Sequence, residues 1–455
     1  MGVRASHIRS DEAYIDLAPQ SLADNPRIRY RLLVGFAFAG SLATMSFVFL
    51  SPQSPLWSSC VLIAVIANVS FGASIVCLNS YLPALGRADA VVVELDAVMH
   101  AARDRLRTIR AATGSAPGDV LLAASQAAVR ATDDYDTAKA FATSHISARA
   151  IAAGYAAGIS ALILMLVPIT VSKGSTWSLR LALAGSGLLW ACGTIPAMVY
   201  LKPPDDLLRC IDQDGGRRTF TNNVMNGWSG LYSMLRQWRR LPMTFTYLAG
   251  WFLLSDAFAT VTSTAILFAK TTLAMSTSSL ILIAVLTPMS GILGAVFFPR
   301  LQRETLHWSN LKMVMLLVTL ATLVPLWGII ALRSRWRIYL LSVVFGVVFG
   351  AFQAFSRTCF SELVPSSQSA RWFGLYSITD KSSSFLGPLL VATITNASGE
   401  IRHGFWLIFT MLLLSLPILA QVKMENGRQD AEQFDKVLAF QSDSPTASRR
   451  VDLAE

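Results

Sequence analysis

The chain has 455 residues, of which 53% are hydrophobic and only 15% charged. A soluble protein of this length would carry about a quarter charged residues. Apolar runs of about 20 residues recur along nearly the whole chain, so the sequence reads as an all-α polytopic membrane protein. The net charge of +10 would suggest nucleic acid in a soluble chain, but in a membrane protein Lys and Arg report orientation, and no nucleic-acid partner is expected.

Residues 1–31 form a polar tail with no apolar stretch of the kind that precedes a signal-cleavage site. Spans are predicted at about 32–51 and 57–79, followed by a long loop over 80–148. Within it Leu95, Val98, Ala102, Leu106 and Ile109 share one helical face, which predicts an amphipathic helix on the membrane or against the bundle. The Ala/Ser/Asp-rich sequence after it is expected to be mobile. Spans three and four cover about 149–171 and 180–201. In a central loop, 202–242, Trp228, Leu231, Leu235 and Trp238 recur at helical spacing beside Arg236, Arg239 and Arg240. This fits an interfacial basic helix or a plain cytosolic linker. Six further spans are predicted at about 243–269, 278–297, 311–332, 338–357, 371–394 and 404–422, with a polar tail over 423–455. The expected organisation is thus about ten spans, four in 32–201 and six in 243–422. Most of the 38 Lys and Arg fall on the side of the two termini, so both termini are predicted to be cytosolic.

The spans differ in polarity. Those at 32–51, 180–201, 311–332 and 404–422 have no acidic residue in their interiors and suit lipid-facing positions. The span 243–269 holds Asp256 at its centre, with Thr260 one turn on along the same face. The span 371–394 carries the adjacent charges Asp380 and Lys381, and 57–79 carries Asn68, with Asn79 at its end. A charge at a helix centre costs roughly 2.5–3.5 kcal/mol on insertion scales, so such residues are functional candidates by default. Counted from the span ends, Asp256 and Asp380/Lys381 lie near the midplane, where secondary transporters bind substrate. Consecutive helical residues point about 100° apart, so Asp380 and Lys381 are expected to pair elsewhere, for example Lys381 with Asp256. A structural ion pair between helices is the alternative to a cavity role.

Gly346 and Gly350 form GxxxG, as do Gly154 and Gly158, and both pairs predict close helix packing. Arg357 and Glu362 flank the cytosolic turn before span 371–394 and could form a gate salt bridge or a solvated boundary pair. Asn396-Ala-Ser is an N-glycosylation acceptor close to the membrane. The five cysteines have no CxxC spacing, no metal site is expected, and no hydrolase or nucleotide-binding motif is present. The chain is therefore not expected to be an enzyme or to hold a cofactor.

The stretches IANVSFGASIVCLNSYLP, GWFLLSDAFATVTSTAILFAKTTLAMSTSSLILIAVLTPMSGILGAVFFPRLQR and SRTCFSELVPSSQSARWFGLYSITDKSSSFLGPLLVATITNASGEIRHGF resemble the autophagy-related protein 22 family of fungal vacuolar amino-acid exporters. The resemblance covers most of residues 57–422. It implies a major-facilitator-like fold in the vacuole membrane and release of leucine and other neutral amino acids to the cytosol after autophagic degradation. The coupling ion is left open, with protons as one candidate. Asp256, Asp380, Lys381, Thr260, Asn68 and Asn79 would then line the substrate or proton site. Family members have twelve helices, whereas LADNPRIRYRLL resembles the segment before their third helix, so this chain is expected to lack the first two. A truncated, non-transporting scaffold or sensor of autophagic-body breakdown, or a facilitator of another small solute, is the alternative.

Overall fold

The fold is given by a computed structural model, which describes residues 26–50, 59–111, 118–171, 175–201, 234–332 and 334–442. Among these the regular structure is helical throughout: α1 Pro26–Ser46, α2 Ser59–Asn79, α3 Leu82–Arg87, α4 Ala90–Ala111, α5 Gly118–Val171, α6 Thr176–Tyr200, α7 Pro242–Thr271, α8 Thr277–Leu301, α9 Asn310–Ile330, α10 Arg335–Leu363, α11 Ser369–Ser383, α12 Leu386–Ser398, α13 Arg402–Ala420 and α14 Met424–Ser442. Nine helices among the described residues are long and apolar enough to cross a membrane, so the chain is a multi-pass membrane protein. The tenth predicted span, 371–394, is present as two short helices, α11 and α12, separated by a break.

Local chemistry sets several helix ends. Ser175, Ser276 and Ser309 cap α6, α8 and α9 by accepting from the backbone N–H three residues on, satisfying donors that the first turn leaves unpaired. Pro242 opens α7, where its missing N–H costs nothing. Gly399 ends α12 at φ +74°, a left-handed conformation that disfavours any residue with a Cβ.

The stretch after α4 differs from its expectation. Residues 112–117 lie outside the described residues, and from Gly118 the Ala/Ser/Asp-rich sequence is helical: α5 runs unbroken for 54 residues, roughly 80 Å, well over twice the apolar thickness of a bilayer. The physical reason is that Asp119–Ala153 is Ala-rich and contains neither Gly nor Pro. Its extramembrane part packs on α4, where Val92, Met99, Ala128 and Ala131 are buried. The C-terminal tail also differs, since α14 packs on α7 and α10. Leu235 and Trp238 are exposed, while Trp228 and Leu231 of the predicted interfacial helix lie outside the described residues, as do most of both termini.

The buried apolar cluster draws on α7 to α11, on α13 and α14, and on Met234 and Leu241 just before α7, with Val76 of α2 packed against its edge. Of the two GxxxG pairs, only one is a contact. Added methyl groups at Gly346 and Gly350 of α10 would strike Thr287 and Gly291 of α8, so backbone packs on backbone there. Gly154 and Gly158 have nothing within 4 Å. A small-residue stripe permits close approach, and no helix takes it up at that position.

Candidate functional site

The break between α11 and α12 follows from the sequence KSSSFLGP. The Ser382, Ser383 and Ser384 hydroxyls bond the carbonyls of Thr379, Asp380 and Lys381, at 3.2, 3.1 and 3.0 Å. Three successive side chains thus compete for helical acceptors. Pro388 then lacks the N–H that would continue the ladder, and its ring opposes the carbonyl four residues back. The helix stops at Ser383 and restarts at Leu386.

Neighbouring residues of α7 hold both sides of this break. The Asp256 carboxylate, on a residue only 2% exposed, accepts the Gly387 N–H at 2.9 Å. A carboxylate at a helix N-terminus meets unpaired N–H groups and the positive end of the helix dipole, and both are favourable. Ser255 donates to the Asp380 side chain and lies 3.3 Å from the Asp380 carbonyl. The approach is close: a Cβ on Gly387 would collide with Thr260 Oγ1 and come to 2.9 Å from Asp256 Oδ1. Asp256 is the fifteenth of the 30 residues of α7, so the break sits near the middle of the spanning bundle.

The expected site residues separate into three groups. Asp256, Thr260 and Asp380 are brought to the break, although the Thr260 hydroxyl is turned to the Asp256 carbonyl at 2.7 Å. Lys381 does not pair with Asp256. It is 71% exposed and lies 3.6 Å from Asp380 Oδ2, because its long unpacked side chain can bend back toward its neighbour. Asn68 is exposed and bonds the Ala64 carbonyl of its own helix, away from the break. Asn79 instead accepts from Arg357 Nη1 at 3.1 Å.

Arg357 and Glu362 do not form a salt bridge with each other. Glu362 bonds Arg428 of α14 and Asn310 of α9. Burial works against the charge of Arg428, and the Glu362 carboxylate more than compensates, leaving Arg428 above its ordinary value. Asn310 also reaches the Ala140 carbonyl of α5, at 3.3 Å. Asp435 accepts from the Ser366 and Ser367 backbone and hydroxyl groups, fixing α14 over the α10–α11 turn. Asn396 is exposed within the last turn of α12. Ser255, Gly387, Asn310 and Arg428 were not singled out from the sequence. Only Gly387 carried a signal, the GP step after three serines. Among the described residues no group of three or more His, Cys, Asp or Glu could hold a metal.

Residues 12–432 match the family described as vacuole effluxer Atg22 like. The chain belongs to this family. It is 32% identical to autophagy-related protein 22 of Chaetomium globosum, covering 94% of this chain and 69% of that protein. It is 33% identical to the Yarrowia lipolytica protein of the same name, covering 94% and 76%, and 31% identical to that of Cryptococcus neoformans var. neoformans serotype D, covering 91% and 83%. Among solved structures it is similar to FucP, a Major Facilitator Superfamily transporter in the outward conformation. That likeness has 14% identity, covers 88% of this chain and 99% of that one, and its TM-score of 0.46 is too low to carry an argument. Membership of the Atg22-like family rests on sequence, and the described helices account for where that sequence is unusual: charged at mid-span and interrupted at Ser384–Phe385.

Proposed function

We propose that the chain is a secondary transporter of the vacuole membrane that moves neutral amino acids, leucine among them, from lumen to cytosol by alternating access. On this reading it has a major-facilitator-like architecture, units 32–201 and 243–422 around the central loop, and both termini in the cytosol. The observation that carries the proposal is the discontinuous helix at mid-bundle, held on both sides by Ser255 and Asp256. Broken helices at membrane midplane supply ion and substrate contacts in secondary transporters, because their free backbone termini must line a cavity or be satisfied by protein. The family match supports the same reading.

Asp380 is the group for a substrate ammonium. Its Oδ2 lies 3.6 Å from Nζ of the exposed Lys381, and its side chain is 32% exposed. An arriving ammonium would exchange with Lys381 without uncovering a buried charge. Asp256, fully buried, keeps the helix break in register and is the candidate for proton coupling. The test is leucine efflux from proteoliposomes holding purified protein. Asp380→Asn should abolish efflux while yield and unfolding midpoint stay at wild-type values. Full efflux in that variant overturns the assignment of Asp380, and a wild-type protein that moves no amino acid supports the scaffold reading instead.

A further inference from the structure

The guanidinium of Arg357 is enclosed by protein and has no counter-ion among the described residues. Its Nε bonds the Gln353 carbonyl at 3.3 Å and its Nη1 bonds Asn79 Oδ1 at 3.1 Å. Nη2 is buried and bonds nothing. Its titratable neighbours include Tyr376 of α11 and Tyr155 of α5. The Tyr376 hydroxyl, on a residue 5% exposed, is likewise buried and unpartnered, with Ser356 nearby but not in hydrogen-bonding geometry. Its ring is fixed by stacking on Trp251 at 4.4 Å and on Phe360 at 4.7 Å between centroids.

This arrangement is unfavourable as it stands. An uncompensated buried ion costs several kcal/mol, each buried donor without an acceptor costs about 1–3 kcal/mol more, and an arginine cannot escape by losing its proton. Two donors are held rigidly and presented to nothing, which is the condition of a site that awaits a negatively charged acceptor. Tyr376 and Asp380 are one turn apart on the same face of α11, with Cβ atoms about 6 Å apart. The two charged ends of an α-amino acid are carried by one carbon, so the groups that hold them must be near neighbours, as side chains one helical turn apart are.

We infer that Arg357 Nη2 and the Tyr376 hydroxyl form the carboxylate-binding end of a zwitterion site whose ammonium end is Asp380. The inference rests on the amino-acid reading given above and adds to it the residues that recognise the carboxylate. Arg357 is thereby a ligand group and not half of a gate. Asn79, the one hydrogen-bonding partner on the N-terminal helices, orients the guanidinium. Because Asn79 lies on α2 while Arg357 and Tyr376 lie on α10 and α11, a carboxylate held by Arg357 would be linked to the N-terminal helices through the existing Arg357–Asn79 bond. Substrate occupancy would then be felt across the plane on which alternating access turns.

The test is calorimetric titration of three probes into full-length protein in nanodiscs. These are leucine, leucinol, which lacks the carboxylate, and 4-methylpentanoate, which lacks the ammonium. Wild type should bind leucine at least about tenfold more tightly than leucinol, the scale of one lost charge-assisted hydrogen bond. Tyr376→Phe removes a single oxygen and preserves the stacking. It should weaken leucine about five- to tenfold and leave leucinol unchanged, and Arg357→Gln should weaken leucine further. Equal binding of leucine and leucinol, or leucine affinity untouched in both variants, overturns the inference and leaves the transporter assignment standing. If wild type binds none of the three, the inference and the amino-acid reading fall together. If Arg357→Gln does not fold, Tyr376→Phe alone decides.

Discussion

The bond from Asp256 to Gly387 makes a quantitative prediction. Asp256→Ala removes the acceptor and leaves the Gly387 N–H buried without a partner, a loss of about 1–3 kcal/mol. It also removes a negative charge from a helix N-terminus, worth up to about 2 kcal/mol when partly buried. Against these stands the relief of a desolvated carboxylate on a residue only 2% exposed, which offsets the second contribution almost wholly in a low-dielectric site. The net expectation is destabilisation by about 2 kcal/mol. Asp256→Asn retains an oxygen acceptor in the same place and loses only the charge, so its net effect should be under about 1 kcal/mol. The measurement is the unfolding midpoint in detergent, read by intrinsic Trp fluorescence, together with efflux as a function of pH. The expected order is wild type, then Asp256→Asn, then Asp256→Ala. If Asp256→Ala unfolds with wild type, or if Asp256→Asn is as unstable as Asp256→Ala, the carboxylate is not what holds the break and the reasoning fails. If Asp256→Asn keeps its stability but its efflux no longer responds to pH, Asp256 carries the coupling proton as well.

Other substitutions probe the surrounding structure. Gly387→Ala places a methyl group against Thr260 Oγ1 and Asp256 Oδ1 and should cost about 1–3 kcal/mol, with partial recovery when Thr260→Ala is added, measured by the same unfolding midpoint. Gly350→Ala puts its methyl into the Gly291 carbonyl of α8 and should destabilise to a similar degree, whereas Gly154→Ala, with open space around it, should be neutral or slightly stabilising. Asn396→Gln should leave gel mobility unchanged, because the acceptor lies within a helical turn at the end of α12.

Much of the helical layout was legible because a membrane span is a one-dimensional signal of length and apolarity. The same signal hid the break at Ser384–Phe385, since the apolar count runs on through Phe385 and Leu386. Only the competition of three serines for backbone acceptors, followed by GP, marks the interruption. The juxtaposition of Asp256 and Asp380 was also legible: counting from the span ends puts them at one level, and both meet the break. Partner choice was not. Lys381 with Asp256 and Arg357 with Glu362 were reasonable by charge, yet the bonds made are Arg357 with Asn79 and Glu362 with Arg428, which are 278 and 66 residues apart in sequence. Such pairings depend on how the helices are rotated, and the sequence of one helix does not contain that. The two GxxxG pairs make the same point, since one meets a backbone and the other meets nothing.

The hydrogen bonds between the N-terminal and C-terminal helices lead to a last prediction. Asn79 accepts from Arg357, Ser147 bonds the Ala354 carbonyl, Asn310 bonds the Ala140 carbonyl, and Ser369 bonds the Ser80 carbonyl. Each lies toward the end of the bundle that carries α14. Asn310 and Ser369 open their helices, Ser80 follows α2, and Ala354 and Arg357 are in the last third of α10. The conformation is therefore fastened at that end, and Glu362 is central to the fastening because it positions both Asn310 and Arg428. On the proposed alternating-access reading these contacts must be made and broken, so they cannot be individually very strong. Glu362→Gln should loosen them by about 1–3 kcal/mol, the range for a buried hydrogen-bonded charge pair whose other member is partly solvated. A native reporter stands three residues away: Cys359 is free and fully buried. Alkylation of Cys359 by a membrane-permeant maleimide, followed by peptide mass spectrometry, should be slow in the wild type and about 5- to 160-fold faster in Glu362→Gln, the rate ratio of that energy range if opening controls access. Cys192, already exposed, serves as the internal standard. Equal Cys359 rates in the two proteins would show that the α14 end opens without breaking the Glu362 contacts, and the fastening would have to be sought at Arg357 and Asn79 instead.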